Sequence, residues 1–205
     1  MSLDTYANLQ ATIAAWLNRE DLTSQIPDFI TLAEARFNRE LRLPDMTKRS
    51  TSTLTSSYVD LPNDWLQTIA VRVTSSTGYK ALEYLSAELF YDLEGQGPTG
   101  VARYYTLVNN RIHLIPDGTN ATLEMTYYAK ISPLSVGNTS NWLLVRSPDL
   151  YLYSSLVAAE AYLMNDERLG VWKSAADQII ADMKLEGERA ARPSGTLLQR
   201  KRSFG

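Results

Sequence analysis

The feature that most constrains this chain is a change of periodicity in its middle. Residues 48–140 are rich in threonine, serine, valine and tyrosine, punctuated by proline and glycine, whereas apolar residues on either side recur at helical spacing. Helices that flank a β block must bury their apolar stripes somewhere, and the economical partner for one pair is the other pair. The expected fold class is therefore α+β: a helical bundle built from N-terminal and C-terminal helix pairs, an inserted small antiparallel β-sheet module, and an extended C-terminal tail. The boundaries read as 1–47 for the first helical hairpin, 48–140 for the β module with one short helix, 141–190 for the closing helix pair and 191–205 for the tail. A chain of 205 residues has room for such an arrangement and buries a core without covalent help.

Within the first hairpin, Tyr6, Leu9, Ile13, Trp16 and Leu17 share a face, with Asp4 placed to cap the start, and Asn18 to Asp21 forms a polar turn. A second helix is expected from near Ser24, with Pro27 in its first turn and Asp28 at the positive end of the dipole. Its stripe is Ile26, Phe29, Ile30, Ala33, Phe37 and Leu41; Glu34, Arg36, Arg39 and Glu40 make the polar side, and Pro44 ends the pair. In the β block, strands are expected at Leu54–Leu61, Thr68–Thr74 and Tyr79–Tyr84, and a short helix at Ser86–Leu93. Residues 104–108 and 111–115 flank Asn109-Asn110, a pair able to adopt the left-handed conformation of a tight hairpin turn. Ala121–Lys130 completes the sheet. Ser147-Pro148-Asp149 then signals a helix start, and after a break near Asn165 the residues Leu169, Trp172, Ala176, Ile179, Ile180 and Met183 form a last stripe, with Gly187 and Pro193 marking its decay.

Chemistry is scarce. There are no cysteines, which excludes disulfides, thiolate metal sites and a cysteine nucleophile and fits a protein made in a reducing compartment. One histidine, His113, rules out a multi-histidine metal site and reads as a strand-face residue. Gly95-Gln96-Gly97-Pro98 precedes a strand, so no helix N-terminus follows it to receive a phosphate. Asp166 and Glu167 read as helix-start acids, and Tyr104, Tyr105, Tyr127 and Tyr128 as strand formers, because few basic residues interleave with them as a base-stacking platform would need. The reading is of a protein that is not an enzyme, with no catalytic or metal-binding residues and no cofactor. No secretory leader or membrane span is recognised.

Net charge is −3, unevenly placed. Residues 189–205 hold five basic residues and no acidic one, leaving the rest of the chain with 15 basic and 23 acidic residues, a net of −8. The tail residues Leu197, Leu198, Arg200, Lys201, Arg202 and Phe204 combine apolar anchors with positive charge, which suits docking on an acidic protein surface.

Four stretches carry a family resemblance. They are Leu22 to Ile30 followed by Ala33 to Arg39; Tyr58-Val59-Asp60-Leu61-Pro62-Asn63-Asp64-Trp65; Tyr105 to Pro116; and Asn141-Trp142-Leu143-Leu144 with Pro148 to Tyr153. Together, over roughly residues 5–190, they resemble the head-to-tail adaptor proteins of tailed phages. The resemblance implies a structural virion protein, a homo-oligomeric ring, usually of twelve copies, beneath the portal. It also implies a C-terminal arm laid on the portal protein and a β module facing tail, nozzle or tail-fibre components. DNA would pass through the channel without sequence-specific binding, and no membrane is involved. An acidic body suits such a passage, because a lumen that attracts phosphates impedes transit. Other virion positions (head-completion, tail-terminator or tail-tube protein), a nucleic-acid-binding role for the basic tail, and a small hydrolase assembled across subunits remain the alternatives at this point.

Overall fold

The computed structural model describes residues 3–19, 21–75, 78–117, 121–163 and 169–191. Ser76-Thr77, Gly118 to Asn120, the break near Asn165, the acids Asp166 and Glu167, and the tail from Arg192 lie outside them. The chain divides into two compact units. One is discontinuous and takes the residues up to Pro44 and from Leu144 onward; the other is Asp45–Leu143.

The helical unit contains α1 (Tyr6–Leu17), α2 (Ile26–Glu40), α5 (Pro148–Leu163) and α6 (Leu169–Ala191). Thr5, not Asp4, caps α1: its side chain accepts from the Asn8 backbone N–H at 3.3 Å, while Asp4 binds the Asn8 side chain. Asn18 closes α1 in the left-handed conformation at φ 52°. Helix α2 begins at Ile26 with Pro27 in its first turn, and buries Ile26, Phe29, Ile30, Ala33 and Phe37 as the stripe requires. The chain turns extended at Leu41, three residues before Pro44, so the helix ends without the proline's help. Helix α5 is the hub, packing against α1, α2 and α6, and is buried on most of its circumference at Leu150, Tyr151, Leu152, Ser155, Leu156, Ala159 and Glu160. Phe37 meets Tyr151 edge-on at 5.1 Å, Trp16 meets Tyr153 at 5.9 Å, and Phe29 meets Tyr162 at 5.9 Å. Each fully buried Leu, Ile or Phe here contributes about 1.5–3 kcal/mol through lost apolar hydration.

Two sequence expectations in this unit are corrected. Glu34 sits inside, 5% exposed, where it accepts a hydrogen bond from the Tyr151 hydroxyl at 3.1 Å. Gly187 does not mark the helix's decay. Helix α6 runs on to Ala191, and Gly187 is buried where a Cβ would lie 2.9 Å from a Leu43 methyl and 3.4 Å from the Pro44 ring.

The second unit holds two four-stranded sheets, where one sheet was expected. Its strands are β1 (Thr47–Thr53), β2 (Tyr58–Asp60), β3 (Trp65–Ser75), β4 (Gly78–Ala81), β5 (Glu83–Tyr84), β6 (Tyr104–Val108), β7 (Arg111–Ile115) and β8 (Thr122–Ala129), with α3 (Ala87–Glu94) after β5. The first sheet runs β1-β8-β3-β4 and is antiparallel throughout; the second runs β2-β7-β6-β5 and is antiparallel except for the parallel β5–β6 pair. The expected strand at Leu54–Leu61 forms only at Tyr58–Asp60, as β2 of the second sheet with a bend before it, and the expected strand at Tyr79–Tyr84 splits between the two sheets. Alternation along β8 puts Leu123, Met125, Tyr127 and Ala129 into a shared core with Val71, Val73, Ile112 and Leu114. The Asn109-Asn110 hairpin forms as expected, with φ of 51° and 59°. Helix α3 rests on β6 and β7 through Phe90, its one buried residue. A short helix, α4 (Trp142–Arg146), carries the chain across the boundary between the units.

Candidate functional site

Ionic contacts in the helical unit converge on Arg36 of α2. Its guanidinium binds Glu40 at 2.7 Å and Asp177 of α6, and Asp177 also accepts from Lys173 at 3.2 Å. Partial burial works against the Arg36 charge, but the two carboxylates outweigh it and raise its pKa. The Arg36 hydrogen bond in turn holds the Asp177 carboxyl below its ordinary value. The Arg36–Asp177 bond and a longer Lys184–Glu40 contact at 3.9 Å join α6 to α2, whereas the Arg36–Glu40 and Lys173–Asp177 pairs each lie within one helix, so a slip by one turn would break the first two and leave the others.

In the β module the corresponding centre is Asp64, at the start of β3. It accepts from Lys48 Nζ at 2.7 Å and from the Tyr127 hydroxyl at 2.9 Å. Burial raises the Asp64 carboxyl, yet the bonds from Lys48 and Tyr127 prevail and hold it below the usual range. Tyr127 is pushed up to about 12, by burial first and by its bond to Asp64 second. The three side chains tie the ends of β1, β3 and β8 together.

The sequence candidates are dispersed. His113 lies on β7, half-buried, between the rings of Tyr58 at 5.8 Å and Phe90 at 6.4 Å. Tyr105 packs on Tyr84 at 5.6 Å in one sheet, while Tyr127 belongs to the other, so the four tyrosines do not form one platform. Gly97, at φ 62°, closes the turn after α3, and no helix follows. Among the described residues, no three acidic or histidine side chains gather as a metal ion requires. A cleft of about 240 Å³ opens between β1 and β2, lined by Ser50, Ser52, Val59, Leu123 and Met125; Asp60, on its rim, is engaged with Arg111 at 2.7 Å. The proposed docking residues Leu197, Leu198, Arg200, Lys201, Arg202 and Phe204 lie outside the described residues.

Sequence reasoning missed three arrangements. The Glu34–Tyr151 bond joins residues 117 apart, and nothing local to Glu34 distinguishes it from a surface acid. The Arg49–Glu124–Arg72 cluster spans β1, β8 and β3 and depends on a pairing that β1 does not advertise. The Lys48–Asp64–Tyr127 tie has one findable element, since Asp64 stands in the Leu61-Pro62-Asn63-Asp64-Trp65 stretch singled out above.

None of the described helices is long and apolar enough to cross a membrane. Comparison with curated proteins gives no match. Comparison with protein families matches residues 4–198 to the SU10 adaptor protein, a span that takes in both units. The chain thus belongs to the SU10 adaptor family of tailed phages, as a structural, non-catalytic virion component that joins portal to tail within an oligomeric ring.

Proposed function

We propose that twelve copies of this chain form the adaptor ring at the portal–tail junction, with the basic tail as the element that docks on the portal. The observation that carries this reading is a family match over nearly the whole chain, together with a C-terminal stretch, residues 189–205, whose five basic residues contrast with the net −8 of the rest. In this scheme the division is functional. The segments 1–47 and 141–190 pack as one helical body, the 48–140 module meets tail, nozzle or tail-fibre proteins, and 191–205 reaches the portal protein. Leu197, Leu198 and Phe204 supply buried area, while Arg200, Lys201 and Arg202 supply charge complementarity and register. Contacts that are weak one at a time become a strong joint when repeated around a closed ring. The channel passes DNA without reading its sequence, and an acidic body keeps phosphates from adhering. Assembly takes place in the host bacterial cytoplasm.

Sedimentation with the cognate portal ring tests the proposal, using the full chain and a chain truncated after Ala191. Stoichiometric binding that is lost on truncation supports it. Binding that survives truncation moves the portal interface to the helices. Salt-sensitive DNA binding lost on the same truncation would favour a nucleic-acid role for Arg200-Lys201-Arg202 instead.

A further inference from the structure

The two outer faces of the β module are unlike. On the first sheet, the side chains of β8 that point away from the core include Glu124, only 8% exposed, and it is shared by two arginines. Arg72 of β3 binds it directly, and Arg49 of β1 reaches it at 3.6 Å while remaining mostly in solvent. One carboxylate against two guanidiniums leaves the cluster with a net positive charge. The Nε of Arg72 is buried and has no hydrogen-bond partner among the described residues, although a guanidinium N–H is costly to leave unmatched. Arg72 also lies over the ring of Tyr79 on β4, 4.9 Å from its centre, and that ring is 72% exposed. The rest of this face is largely threonine: Thr51 and Thr53 of β1, and Thr122 and Thr126 of β8.

Across the module, beyond the second sheet, stands α3. That it lies outside follows from β7, where Ile112 and Leu114 join the shared core while His113, on the opposite face, meets Phe90 of α3. Its eight residues include Glu88, Asp92 and Glu94 and no basic residue. It buries Phe90 alone and leaves Leu89 58% and Tyr91 48% exposed. So short a helix, exposing two large apolar side chains and burying one, is under-supported by its own unit.

A closed ring of identical subunits needs heterologous contacts, in which one patch meets a different patch on the next copy. We infer that α3 of one copy packs on the Arg49–Arg72–Tyr79 face of the next. Its carboxylates meet the surplus guanidinium charge there, and Leu89 and Tyr91 cover the Tyr79 ring. This contact rests on the ring reading above and adds to it the surfaces by which neighbouring β modules recognise each other. The occupant is a second copy of the chain, because the complementary charges and the exposed apolar side chains reside on opposite faces of one module.

The absence of cysteine makes the test clean. Chains carrying Tyr79→Cys, Leu89→Cys or both are assembled at full length with the cognate portal ring and treated with a short bis-maleimide. The double variant should yield a ladder extending past the dimer, which neither single variant produces. A ring that assembles and gives no such ladder overturns the contact and leaves the ring reading intact. Failure of wild-type chains to form any ring overturns that reading and the contact with it. Crosslinks from residue 89 exclusively to another virion protein assign α3 to that partner and also overturn the proposal. Charge reversal gives a second readout that does not depend on the cysteines. Arg49→Glu alone, or Glu88→Lys with Asp92→Lys, should raise the concentration needed for ring assembly about tenfold, and combining them should restore most of the loss. Equal, additive losses with no restoration would count against the pairing.

Discussion

The helical unit and the β module solve the same packing problem with different materials. In the helical unit one element, α5, is surrounded, and its neighbours each contribute a single apolar stripe; the ion pairs lie at the rim, where Arg36 joins α2 to α6. In the β module no element is central. Two sheets share a core made from alternate residues of β3, β7 and β8, with Val59 of β2 and Tyr105 and Leu107 of β6 packed against it, while the edge strand β1 sets Ser50 and Ser52 opposite Met125 and Leu123. Stability in the first case gathers around one surrounded helix, and in the second it is spread across two sheets, with the ends of β1, β3 and β8 tied by the Lys48–Asp64–Tyr127 bonds.

The widest separation between the units is expected from large-to-small substitutions. Phe37→Ala removes a fully buried ring from its contact with Tyr151 and should cost about 3–5 kcal/mol. Hydrogen exchange, read peptide by peptide, should show protection lost in α2 and α5 and kept in β3 and β8. Leu114→Ala should produce the mirror image, at about 2–4 kcal/mol, with β7 and β8 deprotected. If either variant loosens both units equally, the comparison fails and the chain unfolds as one body.

A smaller effect sharpens the β side. Tyr127→Phe should cost about 1 kcal/mol near neutral pH, measured by denaturant unfolding, because Asp64 loses a donor. The folded-state pKa of Tyr127 is raised, so its contribution is complete below its ordinary value of 10.0 and disappears as pH climbs through about 12. The wild-type module should therefore lose stability over that alkaline interval more steeply than the Phe variant. Parallel alkaline curves would contradict the assignment.

The smallest effect is at the helical rim. Asp177 is held below its ordinary 3.8, so the stability it contributes is present above that value and fades as pH falls through the lowered one. Arg36→Gln should flatten that acid limb and cost less than about 1 kcal/mol at neutral pH, since its partners are partly exposed. A loss as large as that of Phe37→Ala would mean the rim, not the stripe, holds α2 in place.

How much of this could be read in advance follows the same division. The α2 stripe was legible because Ile26, Phe29, Ile30, Ala33 and Phe37 repeat at helical spacing and all end up buried. The β6–β7 hairpin was legible because Asn109 and Asn110 suit its turn. Strand β1 was not, since Thr-Lys-Arg-Ser-Thr-Ser-Thr has no apolar alternation and owes its conformation to seven in-register pairings with β8. The expected strand at Leu54–Leu61 holds β2 at Tyr58–Asp60, but its pairing with β7 in a second sheet joins residues about fifty apart, which no local pattern shows. Glu34 was read as a surface acid because its partner, Tyr151, is distant in sequence. The adaptor family was reached from the spacing of four stretches, whereas the Arg49–Glu124–Arg72 face depends on strand neighbours that a linear reading does not supply.

The discontinuity of the helical unit also sets a timetable for synthesis. The β module is one contiguous stretch, Asp45–Leu143, and can close as soon as it leaves the ribosome. Helix α2 cannot do the same, because Glu34 waits for Tyr151, 117 residues later. At a translation rate of about 5–20 residues per second, that wait is on the order of 6–20 s. Through it, Phe29, Ile30 and Phe37 have no α5 to cover them. The nascent chain therefore carries a finished module behind an unfinished, adhesive amphipathic helix, and its yield in the cell depends on what shields that stripe until α5 arrives.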